Sequence, residues 1–314
     1  MASFPLPVAF LLAGAPSGTS EAARMANCRT TPILGIIGGT GLYAIEGLAH
    51  VRTVECDTPF GFPSSPVVVG ELHGRTVAFL ARHGPGHRLL PHEVNYRANI
   101  YALKALGAER IVGVTACGSL REAIAPGDFV IPDQLFDLTR QRASTFFGDG
   151  AVAHISLADP YCPELSGLVA QALEAAGARV HRGGTYLIVE GPRFSTRAES
   201  KTYRQWGADI IGMTAVPEAQ LAREAELCFV SMAHVTDYDC WREEETPVTN
   251  EAVLRMLRLN VGLARKGIER LVQTLPTERA CACGSALTTA LGTHKDAIPP
   301  ETRERLRLIL GKHL

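Results

Sequence analysis

No stretch of the 314 residues stays apolar for the roughly 20 positions that a bilayer-spanning helix requires. A surplus of one charge is missing too, since 31 Lys+Arg stand against 32 Asp+Glu for a formal net charge of −1. That balance excludes a body built as a whole to hold nucleic acid or an anionic membrane. No repeat runs through the chain, and 46% hydrophobic with 20% charged residues excludes a disordered or fibrous protein. No His or second Cys pair stands at zinc spacing from Cys281 and Cys283, so spacing argues against a metal. What is left is a globular protein long enough to bury a large core.

Eight cysteines (Cys28, Cys56, Cys117, Cys162, Cys228, Cys240, Cys281, Cys283) are scattered through the chain. A disulfide scaffold would crowd them into a short secreted domain, so reduced thiols in a cytoplasmic protein are expected. Cys281-Ala282-Cys283 stands apart, either as two small residues near a terminus or as a redox-active, disulfide-forming tail. At the other end, residues 8–13 are apolar but no basic residue precedes them, unlike a secretory leader. Residues 1–31 are expected to be a flexible extension, with Met25 an alternative start.

From Ile33 onward, β-branched runs alternate with helical patterns. Residues 33–37, 76–81, 111–115, 129–131, 185–190 and 228–235 read as strands. Residues 93–106 and 163–176 carry apolar positions at helical spacing and stop before Gly107 and Gly177. Residues 250–275 read as a long amphipathic helix and 300–310 as a last one. This alternation predicts an α/β protein of three layers, a central mixed sheet flanked by helices. Residues 32–275 form one catalytic domain in this reading, and 276–314 a connector and helix bearing the Cys pair.

Several strand ends carry chemistry. Gly35-Ile36-Ile37-Gly38-Gly39-Thr40-Gly41 follows the first strand and reads as a phosphate-holding loop or a plain tight turn. It lacks the spacing of a dinucleotide fingerprint. Arg82-His83-Gly84 offers a bidentate fork and an imidazole for a dianion, and Thr115-Ala116-Cys117-Gly118-Ser119 offers hydroxyl and backbone donors. Glu190-Gly191-Pro192-Arg193-Phe194-Ser195 is a turn that presents an aromatic ring beside a hydroxyl, and a helix opens after it. Met213-Thr214, with Pro217-Glu218, suits the face of a sugar or a core position. Thr236-Asp237-Tyr238-Asp239 ends the most apolar strand. If that strand stays extended, Asp237 and Asp239 share a face and one carboxyl is pushed toward protonation. A donor beside an acceptor matches adenine, with its N7 acceptor and N6 amino donor, better than a 6-oxopurine.

Taken in order, residues 35–42, 57–61, 81–84, 94–99, 115–122, 190–200, 213–218 and 236–241 resemble the purine nucleoside phosphorylase family, and within it the methylthioadenosine phosphorylases. The resemblance covers about residues 32–275. It implies a nucleoside phosphorylase-like fold and reversible phosphorolysis of 5′-methylthioadenosine to adenine and 5-methylthioribose 1-phosphate, in methionine and purine salvage. Inorganic phosphate is then the co-substrate, with no cofactor, metal, nucleic acid or membrane partner. A cytoplasmic homotrimer, or a hexamer of paired trimers, is expected. On matching positions, Thr40, Arg82, His83, Thr115, Ala116 and Thr214 would bind phosphate. Met213 would lie along the ribose, Phe194 and Ser195 near the base, and Asp237 and Asp239 on adenine, with Asp237 the acid. His154 would reach a neighbouring subunit's 5′ pocket. One departure is Asn250, where adenosine-specific members carry a small apolar residue, so a 5′-hydroxyl is expected to be accepted beside the thioether. A phosphorylase of 6-oxopurine nucleosides or methylthioinosine, and a non-catalytic nucleoside-binding protein, are the alternatives.

Overall fold

Four parallel strands make the centre of the sheet: β1 (Ile33–Gly38), β4 (Arg75–Ala81), β5 (Ala108–Ser119) and β11 (Cys228–Asp237). The structure, a computed structural model, describes residues 33–38, 47–242 and 250–314, without the side chains of residues 33, 250, 252–255, 257 and 258. Antiparallel β3 (Val67–Leu72) and β2 (Ala49–Val54) extend the sheet outward from β4. β10 (Ile210–Gly212) joins the far end of β5 antiparallel, and β9 (Thr185–Ile188) and β7 (Gln134–Asp137) follow beside it. β6 (Phe129–Ile131) and β8 (Val180–Arg182) lie beyond β11. The sheet is therefore mixed, as expected.

Alternate residues of the central strands feed two cores. Ile37, Ala78, Leu80 and Ile111 pack with Ile100 and Leu103 of α1 (Tyr96–Ala105) and Leu221 of α4 (Ala215–Glu224). Leu34, Ile36, Val77 and Val112 pack on the other face, with Val169 of α2 (Pro163–Ala175) and Ile268 of α5 (Asn250–Thr274). Burial on both faces explains why these strands read as continuous apolar runs, without polar alternation. Each such Ile or Leu contributes about 1.5–3 kcal/mol by leaving water.

Local signals set the ends. The helix expected from residue 93 starts at Tyr96, because the Asn95 side chain accepts from Ala98 N and caps it. Gly107 and Gly177 follow α1 and α2 with φ of +92° and +88°, the left-handed step that favours glycine. α3 (Arg197–Gln205) opens on a capping box between Thr196 and Glu199. The last helix divides at Leu306 into α6 (Pro300–Arg305) and α7 (Arg307–Leu310). The C-terminal stretch packs on the body: Leu287, Ile298, Leu306 and Leu310 share the core of Ile37, and Cys283 enters the opposite one.

Candidate active site

β5 is the pivot of the site. One of its edges pairs with β1 as far as Gly113 and with β10 from Gly118 onward. The other edge is held by β11 throughout. Residues 114–117 therefore face a gap where the sheet forks, the kind of switch point at which α/β sheets bind ligands. Thr115 and Ala116 lie in that gap.

The neighbouring strand ends converge on it. Arg82 follows β4 with 1% of its surface exposed. Its Nε donates to Glu218 Oε1 at 2.5 Å and its Nη2 to Glu218 Oε2 at 2.9 Å. Nη2 also donates to Ile37 O at 3.4 Å, and Nη1 to Val114 O at 2.9 Å. Arg82 is therefore not an open fork: Glu218 holds the fork, and one Nη1 hydrogen remains for a ligand. Burial pulls the guanidinium down, and the adjoining Glu218 carboxylate more than offsets this, so Arg82 stays charged.

His83 is buried beside it, its Nδ1 2.8 Å from Leu89 O. A carbonyl only accepts, so Nδ1 carries the proton and Nε2 is left for a ligand. Burial and then the Arg82 charge push His83 down to about 4. The His87 ring packs against it at a tilt of 30°, ring centroids 4.3 Å apart. On the gap's far side, Tyr186 Oη donates to Thr115 Oγ1 at 3.2 Å. Gly212 is required there, because a Cβ would fall 2.3 Å from Tyr186 Oη. Thr214 is buried at the head of α4, and its hydroxyl makes no capping bond.

Asp237 is the last residue of β11. The extended chain does not continue: Asp239 takes φ +52° and turns. That turn brings the Asp239 backbone back onto Asp237, with Asp239 N donating to Asp237 Oδ1 at 2.8 Å and Thr236 Oγ1 to Asp237 Oδ2 at 2.7 Å. Both pack over Gly118, where a Cβ would lie 2.8 Å from Asp237 Oδ1 and 3.4 Å from Asp239 Cβ. Burial raises the Asp239 carboxyl. Cys240 Sγ donates to Ser195 O at 3.2 Å and ties this turn to the loop of Phe194. Trp241 Nε1 donates to Ser119 O at 2.8 Å, fixing the turn to β5.

Met213 is half-buried and faces Gly191, where a Cβ would come within 2.6 Å of its sulfur. Phe194 is 43% exposed, a ring presented outward and not a core phenylalanine. His154 is exposed, its N–H donating to Ala290 O at 2.8 Å. No described contact joins it to Arg82 or Asp237. Thr40, and the side chain of Asn250 at the head of α5, lie outside the described residues.

Arg142 carries no sequence motif yet holds the site's walls. Its Nε donates to Glu190 Oε1 at 2.8 Å, and Nη2 to Glu190 O and Val189 O. Its Nη1 donates to Met213 O and Val216 O, each at 2.6 Å, and to Tyr96 Oη at 3.2 Å. In sequence it is one of two arginines in Arg140-Gln141-Arg142, which reads as solvated charge. Glu218 stood in the Pro217-Glu218 pair, but nothing in the sequence links it to Arg82.

The sequence pattern of the phosphorylase superfamily matches residues 33–273. S-methyl-5′-thioadenosine phosphorylase of Koribacter versatilis is 54% identical over 280 residues, 89% of this chain and 96% of that protein. The protein of the same name from Geobacter sulfurreducens is 54% identical over 283 residues, 90% and 99% of the two chains. Among solved structures, a methylthioadenosine phosphorylase sourced from an antarctic soil metagenomic library superposes with a TM-score of 0.86 at 50% identity, covering 90% of this chain and all of its own. The methylthioadenosine phosphorylase of Schistosoma mansoni in complex with adenine gives 0.78 at 37% identity, covering 83% and 99%. The chain belongs to the phosphorylase superfamily.

Proposed function

We propose that this member of the phosphorylase superfamily cleaves the N-glycosidic bond of 5′-methylthioadenosine with inorganic phosphate, giving adenine and 5-methylthioribose 1-phosphate. The observation that carries the reading is the forked sheet: Arg82, His83 and Thr115 gather at one side of the β5 gap, and the aspartate pair crosses Gly118 at its end. Relatives of that activity at 54% identity over nearly the whole chain support it.

Phosphate binds at residues 115 and 116 in this reading, with Thr40, His83, Thr214 and the remaining Nη1 hydrogen of Arg82 around it. The His83 Nε2 lone pair takes a phosphate hydroxyl. Met213 lies along the ribose, Phe194 and Ser195 beside the base. As the glycosidic bond lengthens, positive charge grows on the ribosyl carbon and the phosphate dianion stabilises and then captures it. The leaving base is neutralised by a proton from Asp237 to N7, a role worth typically 10²–10⁴-fold. Burial raises the Asp239 carboxyl and so favours a proton at this turn, where the Asp239 backbone N–H donates to Asp237 Oδ1. An aspartate at 237 faces adenine's N7 and amino group productively and repels the O6 of a 6-oxopurine.

The protein is inferred to act in the cytoplasm, in methionine and purine salvage, as a homotrimer or a pair of trimers. Seven free cysteines among the described residues suit a reducing compartment, and no helix among those residues is long and apolar enough to cross a membrane. The outward Phe194 and His154 fit sites completed across a subunit boundary, with His154 reaching a neighbour's 5′ pocket. Asn250 is proposed to admit a 5′-hydroxyl, which makes adenosine a second substrate. Turnover of methylthioadenosine, adenosine and methylthioinosine tests the assignment. Methylthioadenosine is expected to lead and methylthioinosine to trail; the reverse order refutes the adenine reading.

A further inference from the structure

At the opposite end of β11 from Asp237, four thiols meet. Cys162, Cys228, Cys281 and Cys283 place their Sγ atoms within 4.8 Å of one another. We propose that these four cysteines bind one structural zinc ion. Spacing along the chain argues against a metal here, but the fold draws the ligands from three separate segments. Cys162 caps α2, Cys228 opens β11, and Cys281 precedes and Cys283 lies within the short 3₁₀ turn at residues 282–285.

The geometry and chemistry suit that ion. Four sulfurs at about 2.3 Å from zinc in a tetrahedron stand about 3.8 Å apart, so sulfurs already within 4.8 Å need little adjustment. Cys228 and Cys281 are 3.3 Å apart, sulfur to sulfur. Cys162, Cys228 and Cys283 are buried and Cys281 half-buried, which leaves no open coordination position for a substrate. The site is structural on that ground. It is also remote, since the ten residues of β11 separate it from the aspartates by about 30 Å.

Zinc with four thiolates carries a formal charge of −2, and the surroundings answer it. Arg223 Nη1 donates to Cys283 Sγ at 3.6 Å, and Leu165 N–H donates to Cys162 Sγ at 3.4 Å. Arg279 also lies against Cys228, while its Nη1 is anchored on Glu226 O at 3.0 Å. Donors of this kind are what hold metal-bound thiolates in place. Bound zinc would pin the Cys-x-Cys segment to α2 and β11, and the chain beyond it continues directly into the core through Leu287 and Leu306.

The test uses the full-length protein, purified without chelator. Elemental analysis is expected to give about one zinc per chain, released by a thiol-directed mercurial. Zinc-stripped protein given cobalt(II) alone is expected to develop the intense visible bands and thiolate charge-transfer absorption of a tetrahedral tetrathiolate. The Cys281→Ser/Cys283→Ser protein is expected to hold under about a tenth of the wild-type zinc, because two of four ligands are gone. Cys56→Ser, outside the cluster, is expected to keep it all. Wild-type protein without zinc or cobalt bands overturns the proposal. So does full zinc in the double variant, or a disulfide among these four residues in the unreduced chain by mass spectrometry.

Discussion

Arg82 and Glu218 form a two-pronged ion pair, 2.5 and 2.9 Å, with side-chain exposures of 1% and 0%. The pair aims the guanidinium between the end of β1 and the middle of β5, where Ile37 O and Val114 O take further hydrogens. A buried pair of this sort is costly to break, since the surviving charge stays out of water.

Glu218→Gln is therefore expected to cost about 3–5 kcal/mol of stability and to raise the KM for phosphate more than that for nucleoside. Denaturant unfolding and steady-state kinetics with each substrate varied in turn check it. Equal effects on both KM values would place Glu218 outside the phosphate end.

Arg142 grips Glu190, Met213, Val216 and Tyr96 with a single planar group. An ammonium cannot reproduce that fork. Arg142→Lys is expected to lower kcat/KM by about 10²-fold, the effect of a displaced wall of the site. Kinetics of the Lys and Ala variants, with circular dichroism as a check on folding, decide it; near-wild-type activity of the lysine form contradicts the positioning role.

Gly118 is pinned by pairing to Asp237 on one side and Ile211 on the other. Its Cβ would stand 2.8 Å from Asp237 Oδ1 and 3.2 Å from Ile211 Cγ2. Gly118→Ala is expected to cut kcat by on the order of 10²-fold with secondary structure retained. Unchanged kcat would show that the Asp237 carboxylate is not held where the chemistry needs it.

Acid stability follows from three buried groups. Burial pushes His234 to about 4, and burial with the Arg82 charge pushes His83 to about 4. The unfolded chain binds their protons first, near pH 6.5, so each loses about 1.4 kcal/mol per unit as pH falls below that. Glu224, raised by burial to about 7, has the opposite sign: its contribution fades as pH rises from 4.5 toward 7. His87, also lowered, adds to the two buried histidines, and together they outweigh the one glutamate, so stability is expected to rise with pH between about 5 and 6.5. His234→Leu removes one histidine, and the slope of its unfolding free energy across that window is expected to be about 1.4 kcal/mol per unit shallower than wild type's. A slope as steep as wild type contradicts the assignment.

The central strands and the helix ends were legible because they announce themselves locally, through apolar runs such as Ile36-Ile37 and stops such as Gly107. β2 was not, because its side chains are exposed or half-buried and carry no core-facing pattern. The aspartate pair was legible as a composition, but the reason for its closeness was not. Extended geometry was expected, and the positive φ of Asp239 and the bare face of Gly118 do the work instead. Arg142 and the Arg82–Glu218 pair were hidden for one reason. Each links segments between 46 and 136 residues apart, and no local pattern encodes such a meeting.

The aspartate assignment has its own test. Asp237→Asn is expected to weaken cleavage of methylthioadenosine, by about 10²-fold or more through the lost acid, and to shift relative preference toward inosine analogues. A preference identical to wild type refutes the role given to Asp237.

The most direct measurement follows adenine release from 5′-methylthioadenosine by the purified protein, with and without inorganic phosphate. Release is predicted only when phosphate is present, with 5-methylthioribose 1-phosphate appearing in equal amount. Release at the same rate in phosphate-free buffer, yielding free methylthioribose, would contradict a phosphate site at the fork of β5.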